Sequence, residues 1–204
     1  MKLLHRDDLY GWSSFNKERN IDFNSIAWIR PDGNILIDPL SLSSYDYEHL
    51  NSLGSVRWIV ITNSDHVRAA KELAYVTGAQ IAGPFAERSH FPIECDRWLR
   101  DGEELVPGLQ VIELQGSKTP GELALLLDKT TLITGDLIRA HKAGSLTILP
   151  DEKLSNREQA VASVQRLAQI NGIEAVLVGD GWSVFRDGGL VLKELAASQV
   201  AKCS

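Results

Sequence analysis

The stretch Trp58-Ile59-Val60-Ile61-Thr62-Asn63-Ser64-Asp65-His66 constrains the chain more than any other. An apolar run bounded by turn residues is what a strand covered on both faces looks like, here from Arg57 to Thr62. The polar turn after it predicts a helix opening at about Asp65, whose carboxylate would meet the positive end of the helix dipole. A carboxylate and an imidazole are thus delivered to the carboxyl end of a central strand, the edge where layered α/β proteins bind ligands. Taken alone, the stretch favours a plainer reading, with Asp65 a helix cap and His66 a surface residue of the first turn.

The flanking sequence alternates between two kinds of pairing. Leu9 to Phe15 and Ile21 to Arg30 are β-rich, Pro31-Asp32-Gly33-Asn34 is a turn, and Asn34 to Asp38 returns as a partner strand closed by Pro39. Asp38 reads first as a turn carboxylate. Ser43 to Leu53 predicts a helix stopped by Gly54, with His49 solvated on it. Asp65 to Thr77 predicts the next helix, ended by Gly78, and Ala79 to Ala82 a strand broken by Gly83-Pro84. Phe85 to Arg100, with His90 in a loop, carries no clear period. Gly102 to Pro107 and Leu109 to Leu114 read as strands joined at Pro107-Gly108, followed by strands at Glu122 to Leu127 and Thr131 to Thr134. Leu154 to Ile170 has a helical period with Ser155 as N-cap, Ile173 to Val178 is a buried strand, and Gly189 to Val200 a closing helix.

Three acidic loops sit at strand ends: Asp65-His66, Gly135-Asp136 and Gly179-Asp180. Each has a plain reading as a turn, and Lys118, in Gln115-Gly116-Ser117-Lys118-Thr119-Pro120-Gly121, has one as an exposed lysine. The net charge of −6 argues against nucleic acid or an anionic membrane as the partner and leaves a small molecule. Two cysteines, Cys95 and Cys203, make neither a disulfide framework nor a zinc cluster. No apolar run reaches spanning length, and no secretory segment opens the chain. A single domain over residues 1–204, cytoplasmic by default, is the expectation.

The order and framing of these loops resemble the metallo-β-lactamase fold superfamily, from about Ile21 to the end. Asn34-Ile35-Leu36-Ile37-Asp38-Pro39 is similar to that family's strand ending in an aspartate, and Ile59 to His66 to the strand entering its His-x-His-x-Asp-His motif. Thr119-Pro120-Gly121 resembles the segment that carries a further histidine, Thr134-Gly135-Asp136 the bridging-aspartate loop, and Gly179-Asp180-Gly181 the loop of the last histidine. Each motif alone is weak; five in order are fairly specific. The resemblance implies an α/β fold, a four-layer αββα sandwich of two mixed β-sheets flanked by helices.

The departures bear on chemistry. The two leading histidines of the motif become Ile61 and Asn63, the histidine before Thr-Pro-Gly becomes Lys118, and the last becomes Asp180. The first metal position therefore keeps no histidine. Asp65, His66, Asp136 and Asp180 would hold one divalent ion, and carboxylates in place of imidazoles shift preference from zinc toward manganese, iron(II) or magnesium. The resemblance then implies a hydrolase of esters, lactones, thioesters or phosphoesters, at most mononuclear, with Asp65 and Lys118 as catalytic residues. The competing expectation uses no metal: Lys118 replaces the first cation by pairing with Asp136, leaving a domain that binds a ligand or partner. Arg139 and His141 would serve either.

Overall fold

The computed structural model describes residues 1–201, so Cys203 lies outside the described residues. In chain order the strands are β1 (Lys2–Leu3), β2 (Leu9–Asn16), β3 (Ile21–Trp28), β4 (Asn34–Ile37), β5 (Val56–Val60), β6 (Gln80–Pro84), β7 (Arg97–Leu99), β8 (Leu109–Leu114), β9 (Glu122–Leu127), β10 (Thr131–Thr134), β11 (Ile138–Lys142), β12 (Ser145–Ile148) and β13 (Ala175–Val178). The helices are α1 (Ser44–Ser52), α2 (Ala70–Thr77), α3 (Arg157–Ala168) and α4 (Gly188–Ala201). The first seven strands form one sheet in sequence order, antiparallel as far as β4 and parallel from β4 to β7. A second sheet has the order β13-β10-β9-β8, with only the β13–β10 pair parallel. Both sheets are mixed, as the sequence implies. No described helix is long and apolar enough to cross a membrane.

Side-chain alternation explains the layering. Along β9, Leu123, Leu125 and Leu127 enter the core shared with the first sheet, while Ala124 and Leu126 enter the core under α3 and α4. A strand with both faces apolar can only lie between two layers. On β5, Trp58 and Val60 face the second sheet, and Ile59 packs with Leu50 of α1 and Ala70 and Leu73 of α2. Three cores thus separate four layers, in the order helices, sheet, sheet, helices.

Several expected elements differ. The residues from Asp65 onward do not open the long helix: Ser64–His66 is a single 3-10 turn capped by Asn63, and α2 begins only at Ala70. Arg68, at φ +43°, interrupts the path between them. Gly102 to Pro107 is a loop with one isolated bridge, Glu104 to Gln110. The N-cap of α3 is Asn156 rather than Ser155, its side chain accepting from Gln159 N. The hairpin β11–β12, the edge strand β7 and the short β1 are additions that the sequence pattern does not announce.

Parallel pairing puts the carboxyl ends of β4 and β5, and of β10 and β13, on one edge, and the loop after β13 ties the sheets together there. Asn24 of β3 donates its backbone N–H to Gly179 O (2.8 Å) and its side-chain amide to Val178 O (2.9 Å) and Gly181 O (2.7 Å). Gly181 adopts φ +96°, and a Cβ there would meet Ala140 O at 1.8 Å. We therefore expect Gly181→Ala to cost at least about 2 kcal/mol in denaturant unfolding. Gly78→Ala, at φ +72° with open space around it, carries only the backbone penalty of about 1 kcal/mol.

Candidate functional site

At the end of β4, Asp38 sits at φ +47° and is 2% exposed. Its carboxylate collects three donors: Thr62 N to Oδ1 (2.8 Å), Thr62 Oγ1 to Oδ2 (2.6 Å), and His66 Nδ1 to Oδ2 (2.8 Å). The turn carboxylate of the sequence reading is thus the anchor of the imidazole. Accepting at Oδ2 fixes the proton on Nδ1 and turns Nε2 toward the loop after β10, where it stands 3.7 Å from Asp136 Oδ1. Burial alone would depress the His66 imidazolium, but Asp38 and Asp136 outweigh it and lift the group to about 10.

Asp136, in the bridging-aspartate position, and Asp180, after β13, converge on the same point. One ligand atom from each of His66, Asp136 and Asp180 lies within 4.8 Å of the others, and all three residues are buried. This is a possible metal site, and it joins three of the four residues singled out in the sequence. Asp65 is not of the group: its carboxylate is 44% exposed and pairs with the Lys118 ammonium. That ammonium stands 4.0 Å from Asp136 Oδ2.

Two arginines complete the cluster. Arg139 on β11 is 6% exposed, and its Nη2 lies 2.9 Å from Asp136 Oδ1 and 3.0 Å from Asp180 Oδ2. Arg68 donates through Nη1 to Asn24 O (2.5 Å) and Asp38 O (3.0 Å), and its Nη2 reaches 3.6 Å from Asp180 Oδ1. The last is an electrostatic contact beyond hydrogen-bond length. Burial would raise Asp136, yet His66, Lys118 and Arg139 hold it far below the ordinary carboxylate range. Asp180 is shifted upward, by burial first and by the charge of Asp136 second.

These contacts test whether a resident ion fits. The donor types suit one, an imidazole and two carboxylates. The space between the two carboxylates is taken, because Arg139 Nη2 hydrogen-bonds Asp136 Oδ1 at 2.9 Å and pairs ionically with Asp180 Oδ2 at 3.0 Å. Charge is matched as well. Asp38, Asp65, Asp136 and Asp180 face His66, Arg68, Lys118 and Arg139, four carboxylates against four cations. An ion held by both carboxylates would have to displace the guanidinium, whereas Asp180 Oδ1, buried without a hydrogen-bond partner, is an oxygen that an ion could use.

Beneath the cluster, fully buried Glu122 accepts from Ser117 Oγ (2.6 Å) and from Leu137 N (2.9 Å to Oε1). Burial, then the charge of Asp136, raises it to about 8. A carboxyl raised above its unfolded value of 4.5 keeps its proton in the fold while the unfolded chain releases it. Folding stability therefore falls as pH rises from about 4.5 to 8, then levels. Glu122→Gln keeps the neutral shape and lacks this slope. In urea titrations it is expected to match the parent near pH 5 and to exceed it above pH 8.

The sequence offers Arg139 only by its place after the acidic loop and does not single out Arg68; that both are held in the cluster is not legible from it. A basic side chain is exposed by default, and only its partners on other elements bury it. The spacing Asp136-x-x-Arg139 and the sequence His66-x-Arg68 carry that signal weakly.

A model of the metallo-beta-lactamase superfamily matches residues 1–199. No curated protein matches the sequence. Among solved structures, DIM-1 metallo-beta-lactamase superposes with a TM-score of 0.73 at 16% identity, over 95% of this chain and 94% of that one. A metallo-beta-lactamase from Pontibacter korlensis gives 0.76 at 14% identity, over 98% and 97%. FIM-1 from Pseudomonas aeruginosa, in a mono-zinc form, gives 0.71 at 14% identity, over 93% and 90%. At such identities these likenesses bear on the fold alone.

Proposed function

Because the chain belongs to the metallo-beta-lactamase superfamily, a metal-dependent hydrolase is its general reading, and we propose that this member works without the ions, binding a small molecule at a site neutralised by its own cations. One observation carries the reading: Arg139 Nη2 bridges Asp136 and Asp180 at 2.9 and 3.0 Å. Asp136 then does for two side chains what a bridging aspartate does for two ions. Its Oδ1 holds Arg139 and its Oδ2 faces Lys118. Lys118 stands in the first-metal position of the resemblance and Arg139 among the donors of the second.

The arrangement is self-consistent. A buried guanidinium between two carboxylates removes the repulsion that would otherwise oppose folding. His66, Arg68 and Arg139 are held by partners in the scaffold, so that part of the site is preformed and needs no metal to order it. The chemistry it supports is recognition of a polar small molecule rather than activation of water. The chain's charge of −6 is in keeping with such a ligand rather than nucleic acid.

The second reading is the mononuclear hydrolase, favoured by the compact donor set of His66, Asp136 and Asp180. Those residues would hold the ion, Asp65 would orient the attacking group, and Lys118 would stabilise a developing oxyanion. The ion, when bound, supplies a Lewis acid and a water of lowered pKa.

Calorimetric titration of chelator-treated protein with Zn²⁺ and Mn²⁺, paired with assays on lactones, thioesters and phosphodiesters, separates the two. No saturable one-to-one binding and no ion-dependent turnover is the expected result. One tightly bound equivalent with turnover, both lost in His66→Ala, would establish the hydrolase instead.

A further inference from the structure

The loops over the site enclose two adjoining cavities. One, of about 250 Å³, is lined by Arg19, Lys118, Asp136, Arg139, Leu149 and Lys153. The other, of about 310 Å³, shares Arg19, Lys118 and Asp136 and adds the apolar Phe23 and Leu40 beside the carboxylates of Asp65 and Asp180. In the smaller cavity four basic side chains face one carboxylate; Lys118 is paired with Asp65 and Arg139 with Asp136 and Asp180, so Arg19 and Lys153 carry the excess positive charge. A chain of net charge −6 has here a concentration of positive charge between low-dielectric walls, which focuses the field on whatever enters.

Arg139 makes the case for a built site. It lines the smaller cavity at 6% exposure. Its Nε donates to Asp136 O (3.4 Å) and its Nη2 to Asp136 Oδ1, while no described residue accepts a hydrogen bond from Nη1. The body of the side chain is buried while Nη1 keeps contact with the solvent of the cavity, so it can donate to an acceptor that replaces that water. Around it stand Arg19, from the turn between β2 and β3, and Lys153, from the 3-10 turn Asp151–Lys153; both are exposed and lack a carboxylate partner among the described contacts.

We propose that the cleft binds the oxyanion group of a small organic molecule, a phosphate or a carboxylate, with Arg139 Nη1 as the inner donor and Arg19, Lys118 and Lys153 around the rim. The inference rests on the metal-free reading above and names its ligand class. The oxyanion occupies the smaller cavity. The rest of the molecule extends into the larger one against Phe23 and Leu40. Guanidinium groups suit such an acceptor because their fork matches paired oxygens, and the lysines add charge without fixed geometry.

The test is calorimetry on the full chain in EDTA, at constant ionic strength in a chloride buffer, with inorganic phosphate and propionate as separate probes. At least one probe is expected to bind one-to-one, and which of the two binds tighter decides between phosphate and carboxylate. Arg19→Ala and Lys153→Ala should each weaken binding roughly tenfold, while Lys193→Ala, which lines neither cavity, leaves it unchanged. Arg19 and Lys153 are exposed, so their variants report on binding without threatening the fold. No saturation with either probe, or equal affinity in parent, Arg19→Ala and Lys153→Ala proteins, would overturn the proposal. A protein that takes up a divalent ion yet still binds through Arg19 and Lys153 loses the metal-free reading and keeps this one. A metal-free protein that binds neither probe loses this one alone.

Discussion

Arg139→Ala should lower folding stability by about 3–5 kcal/mol, and a divalent ion should restore part of the loss. The side chain is 6% exposed and supplies the positive charge between Asp136 and Asp180. Removing it leaves two buried carboxylates facing each other with only His66, Arg68 and the half-exposed Lys118 nearby. The same deletion opens the space among the donors of His66, Asp136 and Asp180, so an ion now has a seat that binds the folded state and not the unfolded one. At a free ion concentration of one hundred times its Kd, linkage returns about 2.7 kcal/mol. Urea titrations of parent and variant, with and without Mn²⁺ or Zn²⁺, read both effects. Should Arg139→Ala fail to fold, Arg139→Met fills most of the volume and leaves the metal arm measurable. Lys118→Ala, whose ion pair with Asp65 is 39% and 44% exposed, should cost no more than about 1 kcal/mol. A variant at Arg139 that is as stable as the parent and indifferent to metal would contradict the internal-cation account.

Asp38→Ala should cost a comparable amount, about 3–5 kcal/mol, by a different route. It removes in one step the acceptor of the Thr62 N–H, the Thr62 hydroxyl and the His66 Nδ1–H, all of them buried. It also changes the response to pH. With Asp38 present, His66 is raised from 6.5 to about 10, so its contribution is complete below pH 6.5 and is lost as pH climbs toward 10. Without Asp38 the main partner that lifts it is gone, and that alkaline slope should flatten. Asn at this position tolerates φ +47°, so Asp38→Asn separates the loss of charge from backbone strain. Unfolding measured at pH 6 and pH 9 in parent, Asp38→Ala and Asp38→Asn gives the comparison. Equal slopes in all three would remove Asp38 as the source of the imidazolium.

What the sequence revealed follows the same physics. Runs such as Trp58 to Thr62 and Glu122 to Leu127 are apolar on both alternations, so their burial between layers and the polar loops at their ends are visible without a structure. The convergence of His66, Asp136 and Asp180 follows from parallel pairing of β4 with β5 and of β10 with β13. What stayed hidden depends on partners remote in sequence. Ile138-Arg139-Ala140-His141-Lys142 carries three basic or titratable residues in five and resembles surface loop, yet Arg139 is buried because Asp136 and Asp180 neutralise it there. Arg68 is held by carbonyls of Asn24 and Asp38, in neighbouring strand and loop, and its positive φ interrupts the helix expected from Asp65. Asp38 looks like a turn residue because its role is set by His66, 28 positions on.

The central claim is that side chains hold the places of the ions, and metal content tests it most directly. Untagged protein, purified without chelator from cells supplemented with manganese, iron and zinc, would be measured by plasma mass spectrometry beside Arg139→Met. The account expects well under one-tenth of an equivalent of any of the three in the parent and a clear rise in the variant. About one equivalent in the parent, lost on His66→Ala, would contradict it and return the site to a mononuclear hydrolase.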